Sequence, residues 1–484
     1  MKEPVTARPR RAQPWLALTR RRTASCVTIL FTSLAFSQEA DSQEQDSRKR
    51  ADPGAALDAA LAELDATTPP PSPSPAAVPT APAAYEGLYA RDVGTSQLRL
   101  IDISLDILAA AGASSERDES LLQLQAGGHD PRKRGFTFSQ AELSFLGAVD
   151  PYFTAEAHIL FFLDPVEGET EVELEEAFAT SQALPWGLEL EVGHFLTEVG
   201  RINPRHPHQW EFLDQPIINS RLFGADGMRA PGARLGWLTP LPWFSEVHAG
   251  VQNANGETMA SFLANDEFFE ERSIGGWPFS DREVRSTADL VYLARWANGF
   301  DLATDWSLAF GGTGLFGPNA TGPDGRTSIA GADLVLKWRP VSNDRGWPYM
   351  TWQAEFLQRF YEADDALNEG DPDDPSDDVL FPSETLDDWG FYAQWIWGFV
   401  RNWSTGLRFE YADGAGSAFG GRQEDPFRDE RFRISPLVTW RPTEFTRFRL
   451  QYNYDNARHL DSNDAHTAWI GAEFFFGSHP AHAY

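Results

Sequence analysis

The sequence contains one cysteine, Cys26, so no intrachain disulfide can form and stability has to come from burial or from contact with lipid. Lysine is nearly missing: of 40 basic side chains only Lys2, Lys49, Lys133 and Lys337 are lysines, while the formal net charge is −31. A surface that acidic repels phosphate backbones, which argues against a nucleic-acid partner. No stretch reaches the roughly 20 consecutive apolar residues of a membrane-crossing helix, so an α-helical membrane protein is excluded. A nucleophile elbow, a phosphate-binding glycine loop and an HExxH signature are missing as well. Neither an enzyme nor a cofactor is expected.

What the sequence does have is alternation. In "TRFRLQYNYD", residues 446–455, Arg447, Arg449, Gln451, Asn453 and Asp455 occupy one phase and Phe448, Leu450, Tyr452 and Tyr454 the other. Successive side chains of a strand point to opposite faces, so this is a β-strand with one apolar and one wet side. Sixteen such segments follow one another, near 97–110, 135–148, 152–163, 171–182, 187–198, 232–240, 244–254, 287–298, 303–315, 328–339, 348–360, 388–398, 403–414, 431–440, 446–456 and 465–476. Most exceed the usual strand of about 5 to 6 residues and satisfy the roughly 9 to 11 that a tilted bilayer-crossing strand needs.

The connectors alternate in length. Short ones such as "VDPY", "LPWG", "VRNW" and "PTEF" interleave with long ones at 111–134, 199–231, 255–286, 316–327, 361–387 and 415–430. Outer-membrane barrels pair short periplasmic turns with long extracellular loops, and a soluble β protein has no reason to. Trp186, Trp243, Trp338, Trp347, Trp397, Trp403 and Trp440 cluster beside the short connectors, as an interfacial girdle requires. The expected fold is all-β, a 16-stranded antiparallel transmembrane barrel over 96–484. Residues 1–37 read as a signal peptide, with Arg20–Arg22 ahead of "CVTILFTSLAF", and 38–95 as a polar linker with a short helix and a proline-rich spacer.

The segments "VGHFLTEVGRINPRHPHQWEFLDQPIINSRLFG" and "AWIGAEFFFGSHPAH", together with the strand and loop rhythm, resemble the phosphate-selective porin-like outer-membrane proteins. The resemblance spans roughly 97–484 and implies a barrel of the general porin type, a homotrimer, and a third extracellular loop that folds inward and sets the bore. The function it implies, in the outer membrane of a Gram-negative-type bacterium, is passive, charge-filtered diffusion of small hydrophilic solutes or ions, with outer-membrane lipid and lipopolysaccharide as surroundings. A gated or ligand-specific receptor is the alternative.

Placing each wet phase in the lumen gives an acidic arc from early strands, Asp102, Asp106, Glu142, Glu156, Glu189 and Glu191, and a basic arc from late ones, Lys337, Arg339, Arg408, Arg431, Arg433, Arg447 and Arg449. Two expectations stand: the arcs set up a transverse field across water, or they pair and solvate the wall. Third-loop candidates for the constriction are Arg201, Arg205, His206, His208, Trp210, Asp214, Arg221 and Arg229. His206 and His208 with Asp214 could hold zinc, but two histidines two apart are a weak signal and no metal is expected. His479 and His482 read as an exposed tail. The acidic run at 362–378 reads as a solvated loop, or as carboxylates bridged through divalent cations to lipopolysaccharide phosphates.

Overall fold

The computed structural model describes residues 90–93, 96–99, 101–124, 127–164, 168–368, 378–416, 425–460 and 462–477. The signal peptide, most of the linker, His479, His482 and the centre of the acidic run lie outside them. Sixteen antiparallel strands close into one barrel, each bonded to its neighbours in sequence and the last to the first. They are β1 (Ile101–Ser114), β2 (Gly135–Ala148), β3 (Phe153–Leu163), β4 (Thr170–Ser181), β5 (Leu188–Leu196), β6 (Arg229–Leu238), β7 (Phe244–Asn253) and β8 (Leu290–Ala303). The second half comprises β9 (Trp306–Pro318), β10 (Arg326–Trp338), β11 (Tyr349–Ala363), β12 (Glu384–Val400), β13 (Trp403–Ala415), β14 (Arg431–Thr443), β15 (Thr446–Ala457) and β16 (Asp464–Gly477). All sixteen expected segments are present. β1 begins four residues later than its pattern suggested, because Ala90–Val93 and Ser96–Arg99 pair as a separate hairpin just ahead of it.

The alternation resolves into two faces. On β15 Leu450 is 55% exposed while Gln451, Asn453 and Asp455 are fully buried, and on β16 Ile470 is 61% exposed beside a buried Trp469. The exterior is therefore apolar all round, a surface that lipid covers and water does not. Stacked aromatics ring its turn side: Trp306 on Trp352, Trp403 on Trp440 and Trp440 on Phe448, with centroids 5.5–5.8 Å apart. Trp347 departs from the expected girdle. It packs on Tyr349, which reaches inward to Phe212.

The long loops 115–134, 197–228, 254–289, 364–383 and 416–430 leave one end of the barrel together with the shorter links 164–169, 319–325 and 458–463, and the turns leave the other, the longest of them 339–348. Among the described residues three carry α-helices: α1 (Asp118–Leu124) in L1 (115–134), α2 (Ile217–Phe223) in L3 (197–228) and α3 (Asp266–Glu271) in L4 (254–289). L3 turns into the lumen. Its Val199, Ile217, Ile218, Leu222, Phe223 and Met228 form one buried cluster with Met259, Phe262 and Leu263 of L4 and with wall residues Leu293, Leu315, Ile329 and Leu357. These wall residues occupy the inward phase near the loop ends of their strands, so that half of the barrel holds a packed apolar core.

Candidate functional site

L3 is fixed between two charged walls. Against the early strands, His206 Nδ1 lies 2.7 Å from Glu175 Oε2 and its Nε2 lies 2.9 Å from Glu176 Oε2, while His208 Nδ1 lies 2.9 Å from Glu142 Oε2. Burial works against a charged His206, but Glu175 and Glu142 outweigh it and raise its pKa well above the ordinary histidine value. Two adjacent glutamates reach the same imidazole because β4 bulges. His158 opposes Glu176, Ile159 opposes Leu174, and Glu175 is the extra residue. A strictly alternating strand would have aimed one of the two at lipid.

Against the late strands, Asp214 is the anchor. Its Oδ1 accepts from Arg408 and, at 2.8 Å, from Gln451 Nε2; its Oδ2 accepts from Arg433 Nη1 at 2.9 Å and Asn453 Nδ2 at 2.7 Å. Arg447 and Arg449 hold Glu473 and donate to the backbone carbonyls of His208, Trp210 and Phe212. Arg431 and Arg433 both donate to Leu124 O at the end of α1 and share Asp455.

Below L3 a cavity of about 2000 Å³ occupies the turn-side half of the lumen. Of the predicted basic arc, Lys337, Arg339, Arg408 and Arg447 border it, whereas Arg431, Arg433 and Arg449 face inward but are covered by L1 and L3. None of the predicted acidic arc borders it. Asp106, Glu142 and Glu191 are buried, Asp102 and Glu156 half-buried, and Glu189 is exposed. For Asp106 and Glu142 the physical reason is L3 itself, whose His206 and His208 stand against them. Of the third-loop candidates, Arg201, Arg205, His208, Trp210 and Asp214 border the cavity. His206 is sealed off, Arg221 donates to Arg428 O and Asp429 O on the loop side, and Arg229 pairs with Glu173. Asp214 serves the arginines, not the histidines, so the zinc set His206, His208 and Asp214 is not assembled.

Arg201, Arg205, Lys337 and Arg339 gather on one side of this cavity, and Arg201 is held by Asp333 and, through its amide, by Glu355 at 2.7 Å. Arg205 and Arg339 have no ion pair among the described residues. Sequence reasoning missed Glu175 and Glu176, although a signal exists: Val172 and Leu174 place the apolar phase on even numbers and Ala177 and Ala179 on odd ones, and such a switch marks a bulge.

L1 meets L3 through Asp130, which accepts from Gln215 N at 2.8 Å and Gly127 N at 3.1 Å. Burial, then the neighbouring Asp214 charge, push its pKa up to about 7. The folded state then holds a proton that the unfolded chain releases near pH 4, so the contact is firmest below that and weakens as pH rises to about 7, by up to ~1.4 kcal/mol per unit. Amide exchange at Gly127 and Gln215, corrected for intrinsic rates, is expected to quicken over that window, and in Asp130→Asn to stay level. Equal pH dependence in both proteins would refute the assignment.

No family model matches the chain. Over 426 residues, 82% of this chain and 83% of the relative, it is 29% identical to a protein of Aquifex aeolicus (strain VF5) described as uncharacterized. Among solved structures it is similar to the outer membrane channel DcaP of Acinetobacter baumannii, with a TM-score of 0.48 and 10% identity over 78% of this chain and 97% of that one. It is also similar to an anion-selective porin from Comamonas acidovorans, with a TM-score of 0.47 and 9% identity over 78% and 99% of the two chains.

Proposed function

We propose that this barrel is an outer-membrane channel through which small hydrophilic solutes or ions diffuse passively, and that L3 is its filter. The observation that carries the reading is a closed 16-stranded barrel, apolar outside, whose lumen holds a cavity of about 2000 Å³ ending on an inward-folded loop. Sixteen strands enclose enough cross-section for water, and an apolar exterior leaves lipid as the surrounding medium. Short turns then face the periplasm and long loops the outside, as in other barrels of this kind.

Charge selection falls to guanidinium groups with no ion pair among the described residues. Arg205 and Arg339, beside Lys337, favour anions entering from the turn side. The test is ion selectivity in planar bilayers: Arg205→Gln with Arg339→Gln is expected to lower the anion-to-cation permeability ratio several-fold at unchanged step size. An unchanged ratio would remove the charge filter from this wall.

A gated channel is favoured by a separate observation. Every wall residue bordering the cavity except Arg295, near mid-strand on β8, belongs to the turn-side half of its strand, and the loop side is occupied by the apolar cluster of L3 and L4. In that reading the unmodified protein shows rare, brief openings, and a solute or partner on the loop side raises their frequency.

A further inference from the structure

The early-strand wall carries more negative charge than L3 neutralises. Asp106 and Glu142 stand directly opposite each other on β1 and β2, both facing inward and both buried. Like charges in that relation destabilise a sheet unless something positive lies between them. The β4 bulge brings Glu175 and Glu176 to the same place. Four buried carboxylates thus outnumber the three imidazoles of His158, His206 and His208, and the nearest arginine, Arg447, is held by Glu473 at 2.5 Å. Asp106 is 4% exposed, and neither of its oxygens has a hydrogen-bond partner among the described residues.

The donors converge. Glu142 Oε1 lies 3.0 Å from His158 Nδ1, and Glu142 Oε2 lies 3.5 Å from His206 Nδ1. Single ligand atoms from these three residues all fall within 4.8 Å of one another. A tetrahedral ion with bonds of about 2.0–2.1 Å separates its ligand atoms by roughly 3.4 Å, which the 3.0 and 3.5 Å pairs approach and to which the widest separation closes by at most about 1.4 Å. Glu175 and His208 stand next to the triad, each within 3 Å of one of its atoms, and supply further donors.

We propose that Glu142, His158 and His206 bind a divalent transition-metal ion, with Glu175 or His208 as fourth ligand, and that the ion staples L3 to the β1–β4 wall. Nitrogen and oxygen donors without sulfur suit zinc or its neighbours in the first transition row. The ion neutralises the surplus carboxylates in a dry site, where removing it leaves repulsion that loosens the loop.

The test uses the full chain in detergent, stripped with chelator and reloaded with cobalt or zinc, and does not depend on transport. Unmodified protein is expected to retain close to one equivalent through desalting, with a cobalt ligand-field absorption band, and a variant with H479A and H482A is expected to retain it too. His158→Gln with His206→Gln should weaken binding at least about tenfold, since ligand-sphere changes cost about 10- to 100-fold even one shell out. Glu142→Gln should do the same while keeping the side chain's shape. Heat-modifiable migration reports whether each variant folds. If folded unmodified protein retains no ion, or retains as much as the folded double-glutamine protein, the cluster is a set of protonated histidines on carboxylates and the proposal fails.

Discussion

Replacing residues 200–226 of L3 by a short glycine-serine turn is expected to raise single-channel conductance several-fold and to erase most ion selectivity. The ends of the excised stretch are already together. Thr197 N donates to Met228 O at 2.8 Å, which continues the β5–β6 ladder beyond Leu196 and Arg229. A tight turn can therefore join them without disturbing the wall. What leaves is the roof of the cavity: Phe212, Leu213, Ile217, Ile218, Leu222 and Phe223 are each no more than 5% exposed, with Phe212 packed toward Tyr349, Leu213 on Leu108 and Trp469, and the other four in the cluster that includes Leu357. Water then reaches Arg408, Arg433, Glu142 and Glu176, so the charges lose their L3 partners but regain hydration, and the barrel persists. Conductance steps of unchanged size would mean that L3 does not obstruct the path.

Asp214→Ala is the sharper experiment, because it leaves the loop's bulk in place. One carboxylate accepts from two guanidinium groups and two amides, all fully or nearly fully buried. Removing it leaves Arg408 with Glu410 and Arg433 with Asp455, and strips the compensating charge between them. Breaking a buried ion pair from one side costs about 3–5 kcal/mol, far more than the pair adds over an apolar substitute. That energy is expressed locally. L3 is expected to detach from the late strands, exposing Arg221 to trypsin and adding large, fluctuating conductance levels, while the barrel's heat-modifiable migration stays intact. Trypsin resistance equal to that of the unmodified protein would show that the arginines are not what holds the loop.

The two experiments also separate the open from the gated channel. An open channel narrowed by L3 conducts before the change and conducts more after it. A gated one passes from near silence to a continuous level. Between these outcomes the apolar cluster of L3 with L4 decides, since it rests on Met259, Phe262 and Leu263 and not on the Asp214 anchor.

Strand count, strand faces and the order of short and long connectors were legible in the amino-acid order. Each depends on a period of two or on turn composition, and both are local: Leu450 out and Arg449 in follows from three consecutive residues. The two charged arcs were an expectation from strand order, and what those side chains meet was not legible. His206 meets Glu175 and Glu176 across about 30 residues of chain, and Asp214 meets Arg433 across 219. No spacing rule reaches that far. A loop is free to follow either wall until its own side chains find partners, so the arcs fit equally a field across water and a pair of clamps.

The sequence by itself determined that a barrel forms and which side of it meets lipid, because alternation dictates a face wherever one face must be dry. Only the tertiary structure decided what the lumen does: the bulge at Glu175, the burial of Arg431, Arg433 and Arg449 beneath L1 and L3, and the cavity left on the turn side all arise from closing the ring around a loop. Closure brings strands far apart in sequence to face one another, and the energy of a buried charge depends on which partner is then within reach.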